Sequence, residues 1–205
     1  MLHNIRPQLA LIGAFVLVVI SQPSAWSHPK FSVVNQLITI CSAAGDSASS
    51  RFVNDTTLHA TALQLVGTGM ATAKGASSFI NTKFQTVSVL FKGDCFASLV
   101  PASLIVRIKF IKPGTTVVLD HGYNCAKNIV DVLPNGLTHM LITTNSVCDC
   151  DDMIPPGSTL IGVDCDLFCA DPDSSVKHKE MIYSLVVNGQ SVPFDLTSHS
   201  ASCGF

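Results

Sequence analysis

Leu104-Ile105-Val106-Arg107-Ile108-Lys109-Phe110-Ile111 runs into Lys112-Pro113-Gly114-Thr115 and returns through a second strand, Thr116 to Leu119. Arg107 and Lys109 fall on one face and Val106, Ile108 and Phe110 on the other, the period-two pattern of a half-buried strand. Pro113 presets φ and Gly114 accepts positive φ, so the intervening four residues suit a type II turn. Two further hairpins repeat the design. Asn128 to Leu133 and Leu137 to Val147 flank Pro134-Asn135-Gly136, and Met181 to Val187 and Gln190 to Leu196 flank Asn188-Gly189. An Asn-Gly pair between strands is a strong hairpin signal. Pro193 places its strand at an edge or a bulge.

Beyond the hairpins, Phe31 to Ile40, Leu58 to Val66 and Phe79 to Phe91 read as strands. Ala43 to Asp55 and Gly67 to Ser78 are small and polar and read as loops. Lys92-Gly93-Asp94 reads as a turn into Cys95. Asp171-Pro172 opens at most one short helix, running to Glu180. Strands at short spacing with turn chemistry between them indicate an all-β fold. An antiparallel β-sandwich is the expectation, ahead of a barrel.

The first residues have the three parts of an export signal. His3 and Arg6 open it, Leu9 to Ile20 is an unbroken run of apolar or small residues, and Ala25-Trp26-Ser27 offers small residues where a peptidase cuts. The run is short of the roughly 20 apolar residues that span a bilayer. Residues 1–27 are therefore expected to be a cleaved signal, and 28–205 one secreted β domain with no membrane span. Of 12 basic residues one, Arg6, lies in the signal; against 14 acidic residues this leaves a net charge of −3. No clustered basic surface for nucleic acid is evident. Charged residues make up only 13% of the chain, with Ser, Thr, Asn and Gly filling the polar positions. Weak charge repulsion favours partner surfaces and self-association.

Eight cysteines follow the signal: Cys41, Cys95, Cys125, Cys148, Cys150, Cys165, Cys169 and Cys203. An even count in an exported chain reads as a disulfide framework. Cys148 and Cys150 are so close that each is expected to pair elsewhere. The alternative for Cys148, Cys150, Cys165 and Cys169 is zinc, although the spacing is not that of paired C-x-x-C knuckles. Seven of the fourteen acids lie between Asp149 and Asp173, a region that reads as an acidic, solvated loop pinned by disulfides. Asp149, Asp151, Asp152, Asp164 and Asp166 are thus candidate calcium ligands, without the spacing of an EF-hand loop. Asn54-Asp55-Thr56 is an acceptor triplet for N-glycosylation at Asn54.

Catalytic motifs are sparse: no H-E-x-x-H and no G-x-S-x-G occurs. Asp120-His121-Gly122 follows a strand and reads as an exposed turn. Cleavage after Ser27 would leave His28 as the first residue, able to chelate copper through its amine and ring together. His121 or His139 would complete the set, with Tyr183 as an axial group. This resembles the arrangement in lytic polysaccharide monooxygenases, which also use a β-sandwich, and the resemblance implies a copper-dependent oxidase. The only tryptophan, Trp26, lies in the signal. The function the residues favour is non-catalytic binding of an extracellular protein, a cell-surface component or a small apolar ligand, with no cofactor. The remaining alternative is a structural or coat component.

Overall fold

The computed structural model describes residues 34, 36–93, 102–171 and 173–204. The expected signal, residues 1–27, with His28 and Cys95, lies outside them. Among the described residues, thirteen strands and one four-residue helix follow in chain order: β1 Gln36–Ile40, β2 Ser47–Asp55, β3 Ala60–Thr68, β4 Thr72–Lys83, β5 Thr86–Lys92, β6 Ala102–Ile111, β7 Val118–Asn124, α1 Cys125–Asn128, β8 Ile129–Val132, β9 Thr138–Thr143, β10 Thr159–Cys169, β11 His178–Val187, β12 Gln190–Ser191 and β13 Ala201–Gly204.

The strands form an antiparallel β-sandwich. One sheet has the order β1-β4-β10-β6-β7; the other has β13-β2-β3-β11-β5-β9-β8, with β12 on β11. Alternation places the core. Leu104, Val106, Ile108 and Phe110 of β6 face Val87, Val89 and Phe91 of β5 and Met140 and Ile142 of β9 across the interior, all fully buried. These inner rows drive the two sheets together by removing apolar surface from water, at roughly 25 cal/mol per Å².

The turns do what their residues dictate. Gly114 has φ 74° and the Thr115 amide donates to the Lys112 carbonyl at 3.2 Å. Asn188 and Gly189 both have positive φ, 50° and 77°, as a two-residue type I′ hairpin requires. Asn188 also reaches sideways: its Oδ1 accepts the amides of Gln85 and Thr86, and its Nδ2 donates to the Lys83 carbonyl. The β11–β12 turn thereby holds the β4–β5 turn.

Five segments differ from the sequence reading. Ser47–Asp55 is a strand, not a loop, and β4 begins at Thr72, inside the expected loop that ends at Ser78. In β4 a small residue fits where core side chains crowd: a Cβ on Gly75 would run into the Leu63 side chain. The expected helix after Asp171 is a short turn, and His178 already starts β11. The last strand is shorter than expected, because Pro193 lacks an amide to continue the ladder and β12 ends at Ser191. Finally, the acid-rich span is half strand: β10 lies in the middle of the five-stranded sheet.

The sheets are joined at an edge by the Cys41–Cys203 disulfide, which links the residue after β1 to β13. Cys125 is disulfide-bonded as well. Two expectations for the cysteines need correction. Cys148 and Cys150 pair with each other, since the loop that holds them folds back on itself. Cys165 and Cys169 are free, buried thiols. Both point from β10 into the apolar core, where they pack as small hydrophobes.

Candidate functional site

The register of the five-stranded sheet assembles rows on its outer face. Ile40, Thr72, Phe168 and Ser103 form one row, and Ile38, Lys74, Asp166, Ile105 and Asn124 the next. Gln36, Ala76, Asp164, Arg107 and Gly122 form a third, and Ser78, Gly162, Lys109 and Asp120 a fourth. Along β10 the odd residues Val163, Cys165 and Leu167 go to the core, so Asp164, Asp166 and Phe168 face outward.

The two aspartates are nevertheless only 2% and 3% exposed, because cations from both flanking strands close over them. Lys109 Nζ lies 2.7 Å from Asp164 Oδ2, and Arg107 Nε 3.0 Å from Asp166 Oδ2. Lys74 Nζ bridges them at 3.4 and 3.3 Å. Arg107 also reaches Asp120 at 3.9 Å. Asp166 Oδ1 is buried without a hydrogen-bond partner. Desolvation pushes the Asp166 carboxyl above the ordinary range, Asp164 adds to the push, and Lys74 and Arg107 oppose it. Burial works against the Lys109 charge, but the hydrogen bond and charge of Asp164 outweigh it and raise the ammonium's pKa. The outcome is three cations and three carboxylates fixed in one plane, flanked by the small residues Ala76, Ser78, Gly122 and Gly162. Ile38, Ile40 and Phe168, all partly exposed, border it on one side.

A second polar cluster sits inside one edge of the sandwich. Ile108 pairs with His121 and Val106 with Tyr123, so both β7 side chains point inward with the β6 core row. His121 is 7% exposed and packs edge-on against Phe110 at 4.8 Å. The loop after β9 covers them. Val147 and Met153 bridge its base, and the Asp149 amide donates to the Gly122 carbonyl at 2.9 Å. One ring nitrogen of His121 and the sulfurs of Cys148 and Cys150 lie within 4.8 Å of one another. Asp152 Oδ2 is 3.9 Å from His121 Nε2. His121 Nδ1 and the Tyr123 hydroxyl are both buried without a hydrogen-bond partner. Burial, helped by the Asp152 charge, pushes the Tyr123 phenol well up.

A third cluster lies on the outer face of the other sheet. Ser88 Oγ is 2.7 Å from His139 Nε2, and His139 Nδ1 is 3.5 Å from Asp131 Oδ1. They line a cavity of about 230 Å³ with Leu90, Leu133 and Ser184. Nucleophile, base and orienting carboxylate are thus in line. An acyl-transfer site also needs amides aimed at an oxyanion. Ser88 lies mid-strand between β9 and β11, so the amides beside it serve the sheet ladders.

No family model matches the chain, and no curated protein matches it. Among solved structures it is similar to a family 11 carbohydrate-binding module from Clostridium thermocellum in complex with a beta-1,3-1,4-mixed-linked tetrasaccharide. That likeness has 12% identity, a TM-score of 0.41, and covers 81% of this chain and 91% of the module. At that level of overlap it decides nothing about a ligand.

The candidates from sequence are redistributed. Asp164 and Asp166 are held by lysine and arginine on β10, while Asp149, Asp151 and Asp152 sit in the loop before it; Asp149 pairs with Lys127 at 3.4 Å. The five do not converge on one calcium, because a strand rather than a loop carries two of them. The four-cysteine zinc grouping fails for the same reason, with Cys165 and Cys169 on β10. The two alternative partners for His28 lie apart. His121 points into the interior, whereas His139 lies on the outer face of the opposite sheet, and His28 itself is outside the described residues. Tyr183 is engaged elsewhere, its hydroxyl donating to Asp55. His121 is a buried strand residue, not an exposed turn. Asn54 is exposed at the end of β2, and its Oδ1 accepts from the Thr61 hydroxyl at 3.0 Å. Sequence reasoning missed Arg107 and Lys109 as site residues, although it had placed them together on one strand face. It also missed Ser88 and Asp131, which nothing local marks.

Proposed function

We propose that this chain is a secreted binding domain whose contact surface is the outer face of β1-β4-β10-β6-β7, and that its ligand is a neutral, polyhydroxylated cell-surface or matrix polymer. The observation that carries the reading is the pair Asp164 and Asp166, buried under Lys74, Arg107 and Lys109 on a face that points away from the core. Burying charge is costly unless it is paired, and an apolar or uncharged row would have served sheet cohesion alone. Above the two buried carboxylates Lys74, Arg107 and Lys109 offer donors and the exposed Asp120 an acceptor, and the array as a whole has no net charge. Hydroxyl groups both donate and accept, so they match such a surface, whereas a polyanion or polycation would be repelled by half of it. Small residues around the array leave room for close approach, and Phe168 offers a flat apolar face beside it.

The small apolar ligand expected from composition finds less support. The cavity of about 470 Å³ is lined by Lys127, Asn128, Asn145 and Ser146 as much as by apolar residues. The cavity at Ser88 is equally mixed.

Affinity electrophoresis through gels containing soluble neutral glucans, mannans or galactans, beside sulfated and uronic polymers, tests the proposal. At least one neutral polymer retards the protein, and Arg107→Ala weakens that binding about 10- to 100-fold, as expected for loss of a charged hydrogen-bond donor. Retardation only by charged polymers, by none, or equally in the variant would overturn it.

A further inference from the structure

The cluster beneath the loop after β9 has no part in that surface, yet it holds the densest set of soft ligands among the described residues. We infer that reduction of the Cys148–Cys150 disulfide uncovers a site for one thiophilic d10 cation, zinc(II) or copper(I), held by Cys148, Cys150 and His121.

The geometry supports each step. The two sulfurs and a His121 ring nitrogen already lie within 4.8 Å of one another. Metal–ligand bonds of about 2.3 Å to sulfur and 2.0–2.1 Å to nitrogen place tetrahedral ligands roughly 3.5–3.8 Å apart. Once the sulfur–sulfur bond is broken, the three atoms need only small side-chain rotations to reach that spacing. Asp152 Oδ2, 3.9 Å from His121 Nε2 and on an exposed side chain, can supply a fourth ligand to zinc; copper(I) is satisfied by three. The independent sign that the place is built for more than packing is the pair of unpartnered buried atoms, His121 Nδ1 and the Tyr123 hydroxyl. Buried polar groups are nearly always paired, and two on the same inward face of β7 are unusual.

The reaction balances with a dithiol as reductant. Cys150 is exposed and Cys148 fully buried, so a thiolate of the reductant attacks the Cys150 sulfur. The Cys148 sulfur leaves as a thiolate, already accepting the Cys150 amide proton at 3.2 Å. The reductant's second thiol resolves the mixed disulfide and leaves as a cyclic disulfide, oxidised by two electrons, while the protein gains two thiols. Metal binding then forms two metal–sulfur bonds and one metal–nitrogen bond and releases the thiol protons. In the oxidised protein the site is closed.

Cobalt(II), a spectroscopic stand-in for zinc, tests this on the full chain, treated with a dithiol and desalted without air. Reduced protein is expected to take up one equivalent, with sulfur-to-cobalt charge transfer and the intense visible bands of tetrahedral cobalt. Oxidised protein should show neither. Cys150→Ser keeps every other cysteine and should lose the charge-transfer band at stoichiometric cobalt. His121→Gln should weaken binding at least tenfold, with Asp152→Asn read instead where circular dichroism shows that variant unfolded. Displacement of cobalt by zinc(II) or by copper(I) then ranks the two ions. No band in reduced wild type, a full band in oxidised wild type, or an undiminished band in Cys150→Ser would each overturn the inference.

Discussion

Asn188 shows how much one side chain can carry in a fold of short turns. It takes positive φ in the β11–β12 turn and makes three hydrogen bonds to the β4–β5 turn. Asn188→Ala should cost about 1–3 kcal/mol, from the lost bonds to the Gln85 and Thr86 amides and the Lys83 carbonyl. Asn188→Gly, which restores the turn but not the bonds, should recover part of it. Denaturant midpoints check both; equal loss in the two variants would assign everything to the bonds. The Asn-Gly hairpin was legible in the sequence because its conformational requirement is local. The bonds to residues a hundred positions away were not. The same limit hid Ser88 beside His139 and His121 beside Cys148. In both cases the partners stand on different strands or loops, and the register that joins them is a property of the sheet.

At the level of elements, β10 is where reading and structure differ most. Its span holds Asp164, Asp166, Cys165 and Cys169, so it reads as an acidic, disulfide-pinned loop. The alternation is nonetheless present: Val163, Cys165 and Leu167 are inward, and the aspartates outward. Polar residues conceal it because their partners lie on β4 and β6. Hairpin strands such as β6 were legible since one face is apolar and the turn follows at once. The two β10 thiols give a direct check. Burial pushes the Cys169 thiol up to about 12, and the Cys165 thiol further. The thiolate is the reactive form, so neither should be alkylated by iodoacetamide in the native protein at pH 8. In denaturant without reductant both should react, located by peptide mass, while Cys148 and Cys150 remain unlabelled. Native labelling of Cys165, or disulfide-linked peptides containing it, would contradict this placement.

The fold taken entire has its own pH dependence. Asp46 is held below its usual range, first by the Met70 amide and then by those of Ser42 and Ala43; Asp55 by the Tyr183 hydroxyl; and Asp173 and Asp195 by the hydroxyls of Ser175 and Thr197. A carboxylate with a depressed folded pKa stabilises the native state above its unfolded value, about 3.9, and the gain is lost as pH falls through the folded value. Asp166 acts in the opposite sense, its raised value disfavouring the native state once it ionises. With four groups against one, the urea midpoint should fall between pH 5 and pH 3, and fall less in Asp46→Asn. A midpoint unchanged over that range would contradict the assignment. The two sheets are locked at an edge by Cys41–Cys203, and their outer faces differ. One carries the charged array, the other the Ser88 cavity. The most direct test of the binding account is therefore where ligand lands. Backbone amide shifts recorded during titration with an oligomer of the retarding neutral polymer should move for Lys74, Arg107, Lys109, Asp164 and Asp166 and stay still for Ser88 and His139. Shifts confined to Ser88, His139 and their neighbours would contradict it.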